Sequence, residues 1–144
     1  MSENRNAGHS GIQIGDAIPE SRHRVTQEQI NRYAEASGDR NPLHIDPAFA
    51  KETLFGRTIA HGLLSLSFLS QAMTAWDWKG WVFGGELDVA FLGPVYPGDE
   101  VIVRGTVTAI EIGKDGVTAI CEIACMVEER TVIAGTVRRQ LEAS

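Results

Sequence analysis

Asp39 and His44 put a carboxylate and an imidazole on one short polar stretch, Ser37-Gly38-Asp39-Arg40-Asn41-Pro42-Leu43-His44-Ile45-Asp46. Pro42 stiffens that stretch and biases Asn41 to an extended conformation, so a rigid loop is expected from Asp39 to His44. A loop that ends one helix and precedes another can turn both side chains to one side, within reach of a single water. General acid–base catalysis needs that arrangement: two titratable groups in one small space, each able to take or give a proton. Spacing alone favours the plainer reading, a solvated carboxylate after a helix and a hydrogen-bonded loop imidazole. A metal held by Asp39, His44 and Asp46 is a lesser alternative, because no His-x-x-x-His pair or Cys/His cluster accompanies them.

The segment Ile59-Ala60-His61-Gly62 shifts the balance towards chemistry. Gly62 falls at the expected start of an apolar helix, where backbone N–H groups lack intrahelical partners. Without a side chain it lets a carbonyl oxygen come close to that N–H, and a helix start favours developing negative charge. A thioester whose α-carbon becomes enolate-like needs such an oxyanion site. Close packing of helix on sheet would explain Gly62 equally well taken alone. His61 reads as a positioning or core residue rather than a second catalyst. Ser70, further into the helix, would on its own be a serine bonding back to a backbone carbonyl.

The elements that must hold these residues follow from local patterns. A short strand is expected near Glu20 to Val25. Thr26, with Gln29 three residues on, reads as a capping box, opening a helix that turns Ile30, Tyr33 and Ala34 inward and stops at Gly38. Asp46-Pro47 starts a short helix to about Thr53. Gly62 to about Trp76 forms a helix apolar on nearly every side, expected to be buried on nearly every side. Trp81–Phe91, Glu100–Ile110, Val117–Val127 and Thr131–Leu141 read as strands. Val101, Val103, Val107 and Ala109 alternate with polar neighbours, as do Val117, Ala119, Cys121, Ile123, Cys125 and Val127. Lys114-Asp115-Gly116 supplies a hairpin turn. Helices first and antiparallel strands afterwards predict an α+β fold, with a central helix on a curved sheet.

Size and composition narrow the classes. The 144 residues suit one domain: a polar tail over residues 1–12 and a folded unit over 13–144. A hydrophobic fraction of 43% and a charged fraction of 22% are those of a globular chain. No apolar run approaches a membrane span, and the polar first residues predict a cytoplasmic location. A net charge of -6 argues against a nucleic-acid partner. Cys121 and Cys125 lie about 13 Å apart along one strand, beyond the roughly 7 Å a disulfide tolerates, and read as small core residues. Trp76, Trp78 and Trp81 are expected in core or interface.

The run Tyr33 to Asp46, YAEASGDRNPLHID, resembles the hydratase-2 motif of the MaoC-like and (R)-specific enoyl-CoA hydratase family. Ala48, Ala50, Phe55 and Ile59-Ala60-His61-Gly62-Leu63 continue that pattern, and Leu92 to Val101 is similar to the family's loop before its second long strand. The likeness covers roughly residues 20 to 140. It implies a single hot-dog domain, a long helix wrapped by an antiparallel sheet, normally assembled as a homodimer or higher homo-oligomer. It implies that Asp39 and His44 are the catalytic pair, that Asn41 supports their geometry, and that the Gly62 N–H receives the thioester oxygen. Ser70 matches a serine that hydrogen-bonds near the catalytic acid. The implied reaction is the interconversion of 2-enoyl and (R)-3-hydroxyacyl thioesters of coenzyme A, with acyl carrier protein as another carrier. A hot-dog thioesterase and a non-catalytic acyl-thioester binding module are the alternatives. No nucleotide-binding glycine fingerprint occurs, so coenzyme A is expected only as part of the substrate, with no cofactor and no metal.

Overall fold

Alternating apolar and polar residues in the second half of the chain build a sheet that folds over one long helix. The computed structural model describes residues 11–141. The elements run β1 (Ala17–Arg24), α1 (Gln27–Ser37), α2 (Pro42–Ile45), α3 (Pro47–Lys51), α4 (Gly62–Val82), β2 (Glu86–Phe91), β3 (Glu100–Gly113), β4 (Gly116–Val127) and β5 (Arg130–Leu141). The strands form one antiparallel sheet in the order β1-β3-β4-β5-β2. Strands β1 and β2 are therefore its two edges. The α+β arrangement implied by the sequence is present, with α4 packed across β1, β3, β4 and β5.

The inward residues of the sheet and one face of the helix make a single core. Val101, Val103 and Val107 of β3, Cys121, Ile123, Cys125 and Val127 of β4, and Val137 of β5 meet Leu64, Phe68, Leu69, Ala72 and Met73 of α4. Each Val, Leu, Ile, Phe or Met side chain among them, taken fully out of water, contributes about 1.5–3 kcal/mol. Cys121 and Cys125 are free and buried, and burial pushes both thiols up to about 11, which leaves them protonated and unreactive. No helix among the described residues is long and apolar enough to cross a membrane.

Several boundaries differ from expectation, each for a local reason. Ile12, assigned to the tail, packs against the core, and Gly15 N–H reaches the Val107 carbonyl at 2.8 Å; residues 1–10 lie outside the described residues. The helix expected to stop near Trp76 runs on to Val82 across a kink at Asp77 (φ -161°, ψ 99°). Trp81 is consequently helical rather than the start of a strand, and β2 begins only after Gly84-Gly85. Nor is α4 buried all round: Leu63 is 59% exposed and Val82 61%. An extra residue in β3 between Val107 and Ala109 shifts the register against β4, so Ile110 takes the place in the core that Ala109 was expected to fill. A second irregularity, opposite Cys125 and Met126, turns the adjacent Val132 and Ile133 of β5 both inward.

Candidate active site

The turn between α1 and α2 is built by side chains that cap backbone groups. Thr26 Oγ1 accepts from Gln29 N–H at 3.1 Å and starts α1; the reciprocal half of the box does not form, since Gln29 Oε1 is buried without a partner. Gly38, at φ 80°, ends the helix in the left-handed region that favours glycine, its N–H on the Ala34 carbonyl. The next residue is Asp39. Its N–H donates to Ser37 Oγ at 3.1 Å, and its Oδ1 accepts from Asn41 N–H at 3.3 Å. Asn41 Oδ1 accepts from Leu43 N–H at 3.0 Å, which makes Asn41 the cap of α2 with Pro42 as its first residue. The stretch expected to be a stiff loop is thus a capped helical turn. Proline is favoured at that first position, where its missing N–H costs nothing.

That turn delivers His44 to the start of α4. His44 Nδ1 lies 2.8 Å from the Ile59 carbonyl. A carbonyl only accepts, so Nδ1 carries the proton and Nε2 presents a bare lone pair. His61, immediately before α4, is 2% exposed. Its Nε2 donates to the Asp39 carbonyl at 2.9 Å, and its Nδ1 is buried with no partner. The rings of His44 and His61 stack with centroids 3.8 Å apart, and Tyr33 lies tilted over His61 at 4.7 Å. Burial holds the His61 imidazole below its ordinary range; the hydrogen bond to Asp39 opposes this, and the charge of a protonated His44 reinforces it.

One nitrogen from each histidine and one carboxylate oxygen of Asp39 lie within 4.8 Å of one another. Ligands of a tetrahedral zinc stand about 3.4 Å apart, given metal–nitrogen distances near 2.1 Å. Two acceptors sharing a hydrogen-bonded water at about 2.8 Å are separated by about 4.6 Å. Atoms gathered within that span can share one water, and the same three are of the kind a metal ion takes.

The start of α4 lies beside this cluster. Neither Gly62 N–H nor Leu63 N–H donates to an acceptor among the described residues, and His61 supplies no side-chain cap. Gly62 lines a cleft of about 400 Å³ together with Phe55, Ile59, Ser65, Phe91, Val132 and Ile133. Ile59 connects the two features, facing the cleft while its carbonyl holds His44. A Cβ on Gly62 would lie 2.9 Å from the Phe91 ring, so any other residue would force that ring to shift in the cleft wall.

Of the residues singled out by sequence, Asp39, Asn41, His44, His61 and Gly62 come together, and of these Gly62 lines the cleft while the other four do not. Ser70 does not join them in this chain: its Oγ accepts from Trp81 Nε1 at 3.0 Å, and it does not line the cleft. None of Trp76, Trp78 and Trp81 lines the cleft either. Sequence reasoning missed Gln27, whose Nε2 donates to the His44 carbonyl at 2.8 Å while its Oε1 accepts from Thr58 Oγ1 at 2.7 Å. It also missed Ser65 and the apolar lining, whose only local signal was burial.

Known proteins carry the same plan. The model of the MaoC like domain matches residues 13–126. An (R)-specific enoyl-CoA hydratase of Aeromonas caviae is 40% identical over 60% of this chain and 64% of its own length. The mitochondrial 3-hydroxyacyl-[acyl-carrier-protein] dehydratase of Arabidopsis thaliana is 37% identical over 70% of this chain and 58% of its own. The 3-hydroxyacyl-thioester dehydratase Z of Mycobacterium tuberculosis is 34% identical over 72% of both. The matches thus span less than two thirds of the first two relatives and more of the third. Among solved structures, the (R)-hydratase from A. caviae superposes with a TM-score of 0.79 at 28% identity, covering 92% of this chain and 99% of that one. These relatives are named as hydratases and dehydratases, enzymes of the hydro-lyase class, and the shared architecture is the hot-dog fold. With its motif, its fold and 13–126 matched, the chain belongs to the MaoC-like dehydratase family.

Proposed function

We propose that this protein adds water to 2-enoyl thioesters of coenzyme A and removes it from the corresponding (R)-3-hydroxyacyl thioesters. One observation carries the reading: a carboxylate oxygen of Asp39 and an imidazole nitrogen of His44 lie within 4.8 Å of each other, next to a helix start whose Gly62 N–H has no acceptor among the described residues and whose Gly62 lines an apolar cleft. The thioester oxygen sits on Gly62 N–H, which draws electron density out of the 2,3-double bond. Asp39 and His44 hold one water by its two O–H groups, and Asp39 takes a proton as the oxygen bonds to the β-carbon. The electrons of the double bond move to the thioester oxygen, and the α-carbon of the resulting enolate collects, from the same side, the proton that Asp39 took from water, passed directly or by way of His44 Nε2. Water is consumed whole, and the same groups run the reverse reaction with acid and base exchanged. No redox cofactor or metal enters this chemistry, and coenzyme A or acyl carrier protein arrives as part of the substrate.

The same reading includes a homodimer. Strand β2 is an edge of the sheet among the described residues, and Leu87, Phe91 and Leu92 are exposed on and beside it, which suits pairing with a second copy. Purified protein given crotonyl-CoA tests the reaction. Loss of the enoyl absorbance without free thiol is expected. Thiol release from butyryl-CoA would replace hydration with thioester hydrolysis, and inertness towards short and medium enoyl-CoA would leave a binding module.

A further inference from the structure

We infer that His61 is a positioning residue that clamps Asp39 and His44 into one frame with the Gly62 N–H. The inference deepens the hydratase reading and stands on three contacts of one side chain and its backbone. Its Nε2–H holds the Asp39 carbonyl at 2.9 Å, the only bond tying the α1–α2 turn at Asp39 to α4 among the described residues. Its ring backs the His44 ring at 3.8 Å, and Tyr33 packs against it at 4.7 Å. Its own carbonyl accepts from Leu64 and Ser65 N–H at 3.1 and 3.3 Å, which fixes the first turn of α4 and with it the direction of Gly62 N–H.

A side chain present only for packing would not look like this. His61 Nδ1 is buried without a partner among the described residues, a cost that Phe or Leu at the same place would not carry. What histidine supplies and they do not is a flat ring with a directional donor on its edge. The carbonyl it holds belongs to Asp39 itself, so a change in that bond moves the carboxylate relative to the water. Burial disfavours the charged form of the His61 ring that stacks on His44.

Two substitutions separate the donor from the ring. His61→Gln keeps an N–H able to reach the Asp39 carbonyl, and His61→Phe keeps the ring without the donor. His61→Phe is expected to lower kcat on crotonyl-CoA by about ten- to a hundredfold with KM within about threefold, while His61→Gln, which keeps the donor and loses only the ring stacked on His44, is expected to lose about three- to tenfold in kcat with KM likewise little changed. Equal losses in the two variants, or a loss carried by KM alone, would overturn the assignment. The second measurement needs neither turnover nor a variant. Long-range proton–nitrogen NMR of the wild-type protein should show His61 locked as the Nε2–H tautomer and His44 as the Nδ1–H tautomer. A tautomer-averaged His61 would overturn the clamp even with full activity. Locked tautomers in a protein inert to every enoyl-CoA would remove the reaction and leave the clamp standing.

Discussion

The two ends of α4 both bury polar side chains, and they do so to opposite effect. At its start, Asp39, His44 and His61 form a cluster that leaves lone pairs and helix-start N–H groups uncommitted beside a cleft. At its far end, Arg139 of β5 is 2% exposed, paired with Asp77 at the helix kink and laid across the Trp76 ring at 3.9 Å. Burial works against the Arg139 charge and Asp77 offsets it. That end differs: Arg139 Nε lacks a partner among the described residues, and Arg139 does not line the cleft that Gly62 lines. Buried charge by itself therefore does not mark a site. What distinguishes the working end is unspent hydrogen-bonding capacity next to Gly62, which lines a cleft that a ligand can enter.

The contrast breaks most sharply under substitution. His44→Ala removes a proton carrier and should lower kcat by about 10²–10⁴-fold, read by enoyl absorbance, with little change in the thermal midpoint. Gly62→Ala puts a Cβ against Phe91 and should cost about 10–10² in kcat/KM by crowding the oxyanion donor. Arg139→Ala should do the reverse: a loss of about 2–4 kcal/mol in denaturant unfolding, because Asp77 is left without its partner in a partly buried place, with kcat per folded molecule unchanged. An Arg139→Ala protein that folds normally but fails in turnover would erase the distinction between the two ends.

The smallest effect is in pH. Burial lowers both His61 and His23, the latter stacked on Phe68 at 4.3 Å. Below the ordinary histidine value near 6.5 the unfolded chain takes up protons that the folded one refuses. The unfolded state then binds more protons, so stability falls as pH drops. The thermal midpoint should decline from pH 7.5 to 5.5 and decline less in His61→Gln; a flat profile would show that His61 titrates freely.

How much of this was legible depended on sequence distance. Asp39, Asn41 and His44 share one short turn, and the residue types that cap it are the ones that made it conspicuous, although a capped turn stood where a stiff loop was expected. Gly62 could be found because helix starts are marked locally. The bond from His61 to Asp39 joins residues far apart in the chain, and no period or spacing records it. Ser70 shows the opposite failure: its place in the motif was readable, but α4 continues past Trp76 and brings Trp81 back onto its hydroxyl. The bulge after Val107 and the paired inward turn of Val132 and Ile133 are set by neighbouring strands, so the alternation along each strand, read alone, predicted an unbroken register.

Asp39→Asn tests the central claim most directly, because it keeps the shape of the side chain and removes its basicity. Turnover of crotonyl-CoA and binding of the unreactive butyryl-CoA would be measured on the same preparation. Turnover should fall by at least about 10²-fold while the Kd for butyryl-CoA stays within about threefold of wild type. Near-full turnover would contradict the role of Asp39 in moving the proton of water, and equal losses of turnover and binding would make it a binding residue instead.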